Sequence, residues 1–382
     1  MFHLLLAIIY LAFISLGLPD ALLGAAWPTM YQEFSVPVSY SGIIFVIIAA
    51  GTVVSSLFSD KLTKRFGTGR VTALSVCMTA IALVGFSFSD SFWLLCIWSI
   101  PYGFGAGSVD ASLNNYVAIH YASRHMSWLH CMWGVGASVG PYIMGYALTN
   151  GGNWSSGYRY IGILQIVLTV VLLLSLPLWD KKTSEEQNSQ SLTLKEVLKI
   201  PGAKEIMLTF FCYCAIEQTA GLWASSYLVF YKGVSAETAA SFAALFYIGI
   251  SIGRFLSGFL TLKLNDTKMI YLGQAILFVG VLFMLLPAGE IVTLIGLILV
   301  GLGCAPIYPC IIHSTPYQFG SDKSQAMIGV QMAAAYIGIC IMPPIFGVLA
   351  NHVSIALLPV YLLALLILMF VMYKKMLLKS GT

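Results

Sequence analysis

Long apolar stretches alternate with short polar segments along the whole chain, a pattern typical of membrane-spanning helices. A helix that crosses a bilayer needs about 20 mainly apolar residues, and twelve stretches meet this requirement. Most connections between them are short, which leaves little room for structure outside the membrane. The pattern predicts an all-α integral membrane protein with twelve transmembrane helices, at approximately 3–31, 38–59, 70–88, 92–118, 128–149, 158–179, 205–231, 238–262, 268–286, 290–314, 325–349 and 354–374.

One connection is long, polar and charged: DKKTSEEQNSQSLTLKEVLKIPGAK, which starts at Asp180. It divides the chain into an amino-terminal six-helix half, residues 1–180, and a carboxyl-terminal six-helix half, residues 204–382. Residues 181–203 are then a cytoplasmic central loop, in which residues 192–200 are expected to form a short surface helix.

The basic residues predict the orientation, because cytoplasmic loops of membrane proteins are enriched in Lys and Arg. With the amino terminus inside, only Arg159 and Lys232 of the 19 Lys and Arg residues fall in outer loops, and Arg254 falls within a span. Both termini are therefore expected in the cytoplasm of a multi-pass plasma-membrane protein. The first run, MFHLLLAIIYLAF, has no basic start and no cleavage site, and is expected to be a retained helix.

Composition supports the same class. Hydrophobic residues make up 59% of the chain and charged residues 9%, which is too little charge for the surface of a soluble domain. The net charge of +4 is modest and gives no reason to expect a nucleic-acid partner; the lipid bilayer is the expected surrounding. The eight cysteines show no CxxC pair, so we expect neither a metal site nor a cofactor.

The two halves repeat each other. GTVVSSLFSDKLTKRFGTGRV, from Gly51, parallels GISIGRFLSGFLTLKLNDTKM, from Gly249, and the same spacing places GFG at Gly103 on GLG at Gly301. Two six-helix repeats in parallel register are typical of a transporter that works by alternating access, with its site between the repeats. Both halves are on one chain, so a monomer suffices.

Three acids lie well inside predicted spans: Asp20, Asp110 and Glu217. A charge at the bilayer centre costs roughly 2.5–3.5 kcal/mol on insertion scales, so such residues are functional candidates. At helical spacing, Asp110 and Asn114 share one face with glycines, which favours a partner helix or a polar cavity. A structural hydrogen bond, or an ion pair with Arg254, remains the alternative for each acid.

Neutral polar and aromatic residues within the spans extend this candidate site. Amides donate and accept hydrogen bonds, which suits sugar hydroxyls, and tryptophan can stack on a sugar ring. A lone histidine is more often a packing hydrogen bonder, and tryptophan is more often an interface anchor. The candidates are Trp27, Asn114, Asn115, His130, Trp133, Gln165, Gln218, Trp223, His313 and Gln331.

The loop after the second span, from Asp60 to Arg70, resembles the signature loop of the major facilitator superfamily. In that family a glycine turn, here Gly67, and flanking cations, here Arg65 and Arg70, latch the inner gate, and the Asp caps or pairs with a neighbouring helix. Arg254, toward the inner end of its span, is expected to snorkel or pair at the gate.

Other motifs bear on this resemblance. Ser55 or Ser56 stands where the family usually has glycine. The GxxxGP pattern from Gly136 resembles the family's glycine–proline motif, which is prominent in drug antiporters and also occurs in symporters; structurally it predicts a bend at a tight helix contact. Pro306 and Pro309 are expected to break the tenth span.

Within the superfamily, three spans resemble the fucose–galactose–glucose/proton symporters: GLPDALLGAAWPTMY, GFGAGSVDASLNNY and LHCMWGVGASVGP. The resemblance implies proton-coupled uptake of a monosaccharide. Asp110 or Asp20 would then carry the proton while the other accepts sugar hydroxyls, and Glu217 would be a second acceptor from the opposite half.

Other functions compete with this one. Sodium-coupled symport remains open, because an acid with amide and backbone oxygens also binds a cation. Proton-antiport efflux of an amphipathic compound is favoured by GxxxGP and disfavoured by three buried acids. A membrane enzyme is disfavoured because no HExxH or GxSxG pattern occurs, and a sensor because no output domain is evident.

Overall fold

The computed structural model describes residues 2–20, 22–37, 40–149, 152–179, 192–234, 236–287 and 289–381. These residues form α-helices joined by short turns, and no strand occurs among them, which confirms the all-α membrane class. The helices are α1 Phe2–Asp20, α2 Leu22–Glu33, α3 Ser41–Phe66, α4 Thr68–Ser87, α5 Phe92–His120, α6 Ser123–Thr149, α7 Trp154–Leu174, α8 Leu194–Val197, α9 Ala203–Phe230, α10 Ala236–Leu260, α11 Asp266–Leu285, α12 Glu290–Phe319, α13 Ser321–His352 and α14 Leu358–Ser380.

Ten stretches of the described chain are long and apolar enough to cross a membrane, and α10 contributes a shorter apolar helix, Phe246–Leu260. The first of the ten runs from α1 into α2, as Leu4–Trp27. The fifth and eighth predicted spans, on α6 and α10, are not among the ten. The count of twelve and the orientation of the termini therefore remain predictions.

The chain folds as two compact units. Unit 1 comprises Met1–Tyr116 and Leu129–Leu192, and unit 2 comprises Val117–Trp128 and Thr193–Thr382. The first part of the expected central loop, residues 181–191, lies outside the described residues. The expected surface helix is present as α8, which begins with a capping box between Thr193 and Glu196.

The sequence repeat has a structural counterpart in each unit. Gly103 of α5 lies so close to α3 that a Cβ there would overlap the Ile48 carbonyl oxygen. Its counterpart, Gly301 of α12, lies equally close to the Phe246 carbonyl of α10. The repeated glycines therefore serve the same purpose in both units: they allow two helix backbones to touch.

A second close approach joins α1 to α6 in unit 1. A Cβ at Gly17 would overlap the Trp133 carbonyl, and a Cβ at Gly136 would overlap the Ile14 carbonyl. Gly140, one turn further along α6, is equally close to α1. The GxxxGP motif is thus the α6 side of a backbone contact, as its small residues predicted.

The predicted break in the tenth span is wrong. Pro306 and Pro309 both lie inside α12, which continues as a single helix from Glu290 to Phe319. Each proline removes only one backbone donor, and transmembrane helices tolerate this loss where neighbouring helices and local adjustment satisfy the freed carbonyls.

The contact between α1 and α6 predicts a large effect of one added methyl group. Gly136→Ala is expected to lower the free energy of unfolding by about 1–3 kcal/mol or to prevent folding, because the methyl meets backbone rather than a movable side chain. Gly145→Ala, on the same helix with open space around the added Cβ, is the matched control. Thermal unfolding in detergent measures both; equal stability of the two variants would contradict the contact.

Candidate transport site

Asp20, within the apolar stretch Leu4–Trp27, presents an exposed carboxylate that is held by two aromatic donors. The Trp133 indole N–H of α6 donates to Oδ2 at 2.8 Å, and the Tyr102 hydroxyl of α5 donates to Oδ1 at 3.2 Å. Tyr102 is itself buried. The carboxylate is therefore held in one orientation by two neutral donors while the residue stays exposed.

Asp110 lies on α5, two turns after Tyr102, and is half-buried. Its Oδ1 accepts a hydrogen bond from the Asn114 side-chain amide at 2.8 Å, and the same amide nitrogen lies 3.0 Å from the Asp110 carbonyl oxygen. The Asn114 oxygen lies 3.0 Å from Nε2 of His130 on α6. Asp110, Asn114 and His130 thus form a row of hydrogen-bonded side chains that connects α5 to α6.

The two carboxylates of unit 1 are held by the same pair of helices. Asp20 accepts hydrogen bonds from Tyr102 of α5 and Trp133 of α6, and Asp110 accepts one from Asn114 of α5.

In unit 2, Glu217 of α9 forms an ion pair with Arg254 of α10, with Nη2 and Oε2 3.4 Å apart. The Tyr213 hydroxyl, one turn before Glu217, donates to the same carboxylate. Arg254 is buried and Glu217 is half-buried. Of the alternatives for Glu217, the geometry matches the ion pair with Arg254.

His313 and Gln331, predicted as substrate contacts, have partners within unit 2. His313 Nδ1 lies 2.6 Å from an Asp266 carboxylate oxygen, and its Nε2 lies 3.1 Å from the Tyr121 carbonyl oxygen. The fully buried amide of Gln331 pairs with the Thr315 hydroxyl at 3.2 Å, between α13 and α12.

Several other candidates take part in helix packing. Trp27 lies in the apolar core of unit 1, and Gln165 donates to the Ser15 carbonyl at 2.5 Å. Trp223 donates to the Pro343 carbonyl at 3.0 Å. Of the remaining two, Asn115 is buried and Gln218 is half-buried.

Comparison with known proteins identifies the family. The family model described as the Major Facilitator Superfamily matches residues 9–343 and 206–379. The chain belongs to the Major Facilitator Superfamily.

Members of this superfamily are membrane transporters rather than enzymes, in agreement with the sequence-based prediction. The chain is 23% identical to Bypass of stop codon protein 6 of Saccharomyces cerevisiae, over 95% of this chain and 81% of that protein. It is 22% identical to the glucose/mannose transporter GlcP of Bacillus subtilis, over 78% of this chain and 77% of the other. A crystal structure of the E. coli fucose:proton symporter FucP has the same fold, with a TM-score of 0.81 at 16% identity over 98% of each chain.

The segment from Asp60 to Arg70, predicted as a loop that resembles the superfamily's signature loop, is almost entirely helical: Asp60 and Arg65 lie in α3, Arg70 lies in α4, and Gly67 joins the two helices. Asp60 is buried, pairs with Lys64 at 3.3 Å and accepts the backbone N–H of Leu192 at 3.1 Å. Gly67 has a φ of +83° between α3 and α4, a conformation that favours glycine. Arg65 and Arg70, the predicted latching cations, are exposed.

On α3, Ser55 or Ser56 stands where the family usually has glycine, and α5 supplies the small residue of this helix contact instead. Ser56 of α3 donates to the Gly107 carbonyl of α5 at 3.3 Å. A Cβ at Gly107 would overlap the Thr52 carbonyl and the Ser55 hydroxyl. The small residue that this contact requires is therefore on α5.

Two tyrosines were missing from the sequence-based candidates. Tyr102 lies on the face of α5 that carries Asp110, two turns earlier, and Tyr213 precedes Glu217 by one turn. Their spacing could have identified them, because residues four or eight positions before an acid lie near it on the same side of a helix.

The ion pair in unit 2 predicts an asymmetry between single and double variants. Arg254→Met leaves the Glu217 carboxylate without its cation and is expected to lower the free energy of unfolding by about 3 kcal/mol. The double variant Arg254→Met/Glu217→Met is expected to recover most of that loss. Lys379→Met, which removes a largely exposed cation from Glu205, is the control and is expected to cost under about 1 kcal/mol. A double variant no more stable than Arg254→Met, measured by thermal unfolding, would contradict the pairing.

Proposed function

We propose that this transporter takes up a monosaccharide together with a proton across the plasma membrane by alternating access. The observation that carries the proposal is the pair of carboxylates in unit 1, one exposed and one half-buried, each held by neutral donors from α5 or α6. Neutral donors leave a carboxylate able to bind a proton or a sugar hydroxyl, whereas a paired cation would compete for it.

The two acids have different roles in this proposal. Asp20, exposed and fixed by Trp133 and Tyr102, accepts sugar hydroxyls, and the Trp133 ring provides an apolar surface beside them. Asp110, which is half-buried and has no ion pair with any described residue, carries the proton. Protonation of Asp110 relieves its repulsion with Asp20, so the proton and the sugar favour the same state.

The acid of unit 2 is not assigned the proton, because the charge of Glu217 is compensated by Arg254. Glu217, and Gln218 half-buried beside it, are candidate polar contacts within unit 2. The relatives support a sugar as substrate, because one is named a glucose/mannose transporter and the structural neighbour is a fucose:proton symporter.

Uptake into proteoliposomes tests this function. A panel of labelled hexoses and 6-deoxyhexoses is offered with an inward proton gradient, an inward sodium gradient, or no gradient. Proton-driven accumulation of one sugar is expected, and Asp110→Asn is expected to reduce accumulation to background while sugar counterflow continues, because a carboxamide binds no proton.

The controls separate coupling from binding. Asp20→Asn is expected to weaken sugar binding about ten-fold or more, in counterflow as well as in uptake, through loss of charged hydrogen bonds. Accumulation driven by sodium alone, or unchanged proton-driven accumulation by Asp110→Asn, would contradict the proposal. Flux of an amphipathic compound with no sugar flux would favour efflux.

A further inference from the structure

Asp110, Asn114 and His130 are joined by hydrogen bonds, and the acceptor oxygens of Asp110 determine how the Asn114 carboxamide between them is oriented. The Asn114 nitrogen lies within hydrogen-bond distance of two oxygens, Oδ1 of Asp110 at 2.8 Å and the Asp110 carbonyl oxygen at 3.0 Å. An ionised carboxylate and a carbonyl only accept, so the NH₂ group of Asn114 must face them. Its amide oxygen then faces His130.

This direction determines what His130 does. An amide oxygen only accepts, so Nε2 of His130, 3.0 Å away, must carry the hydrogen. The requirement holds for both the neutral ring protonated at Nε2 and the charged ring. His130 is therefore a donor to Asn114, and the carboxamide between it and Asp110 makes it unsuited to receive a proton from that acid.

Packing holds the imidazole in this position. His130 and Asn114 are both buried, with 5% and 0% of their surfaces exposed. Phe13 of α1 meets the imidazole edge-on, with ring centroids 5.4 Å apart and planes at 86°. The backbone contact between α1 and α6 keeps Phe13 and His130 on facing helices, so the ring has little freedom to turn.

We propose that His130 is a positioning residue, whose Nε2–H holds the Asn114 carboxamide with its nitrogen on Asp110 and so determines the pH at which Asp110 binds a proton. The inference rests on the proposed function in one respect, that Asp110 is the proton carrier. It assigns to His130 a role in setting proton affinity rather than in contacting the sugar.

His130 affects proton binding because the carboxamide of Asn114 has a donor nitrogen at one end and an acceptor oxygen at the other. With its nitrogen on Asp110, Asn114 stabilises the ionised carboxylate. Without the donor on His130, the two Asp110 oxygens alone hold the carboxamide. Once Asp110 is protonated, its O–H can donate to the Asn114 oxygen, so the amide can turn and stabilise the protonated acid. Loss of the donor is therefore expected to make Asp110 bind its proton at a higher pH.

The other groups around Asp110 stay constant in this comparison. Asp20, from α1, is the acid whose charge acts on it. Beside this part of α5, α3 presents hydroxyl groups, of which Thr52 and Ser56 donate to the Gly103 and Gly107 carbonyls. On α6, the titratable group is His130, which is hydrogen-bonded to Asn114.

Infrared difference spectroscopy of the purified protein tests the inference without any sugar. The carbonyl stretch of a protonated carboxyl group is followed during a pH titration, and the Asp110 band is assigned by its loss in Asp110→Asn. His130→Leu is expected to move the midpoint upward by about one pH unit, as loss of an oriented hydrogen bond to a carboxylate does. His130→Gln, whose side-chain amide retains a donor, is expected to restore most of the wild-type midpoint.

A double-variant cycle identifies the route of the effect. If His130 acts through Asn114, then His130→Leu has no further effect on the midpoint in an Asn114→Leu background. An unchanged midpoint in His130→Leu, or the same shift with Asn114 already replaced, would overturn the inference. His130→Met is the second apolar variant if His130→Leu does not fold.

The failure of this inference is distinguishable from failure of the proposed function. If the Asp110 band titrates in the wild type but His130→Leu leaves it unmoved, only the role of His130 is wrong. If no Asp110 band titrates in the wild type, Asp110 is not the proton carrier, and both proposals are overturned.

Discussion

The candidate site depends on the close approach of α1 and α6. Gly17 and Gly136 allow carbonyl oxygens of one helix to lie where a Cβ of the other would be, so the two backbones touch. This contact places the Trp133 indole on the Asp20 carboxylate and the Phe13 ring against His130. Larger residues at the two glycines would separate the helices and remove both arrangements.

The acids of the two units are stabilised in different ways. In unit 1, Asp20 and Asp110 are held by an indole, a phenol and a carboxamide, which orient a carboxylate without cancelling its charge. In unit 2, Arg254 compensates the charge of Glu217. Among the described residues no cation pairs with Asp110, so binding a proton relieves more unfavourable charge there than at Glu217, and proton binding is therefore proposed for unit 1.

The sequence was sufficient for the features that depend on local spacing. The apolar pattern predicted the helices, and the glycine motifs predicted backbone contacts between helices, because spacing alone determines which residues share a face. Partner choice across helices was harder. His313 bonds Asp266 from another helix, Tyr102 reaches Asp20 from α5, and α12 continues through Pro306. Such outcomes depend on which helices pack together, and one sequence does not specify that.

In the proposed mechanism, sugar and proton binding are coupled through Asp20 and Asp110. The proton exchange that accompanies sugar binding to the purified protein in weakly buffered solution reports this coupling. Near the titration midpoint of Asp110, net proton uptake is expected when sugar is added to the wild type, and none with Asp110→Asn. Sugar binding to the wild type without proton uptake, with binding itself followed by calorimetry, would contradict the coupling, and so would equal proton uptake by Asp110→Asn.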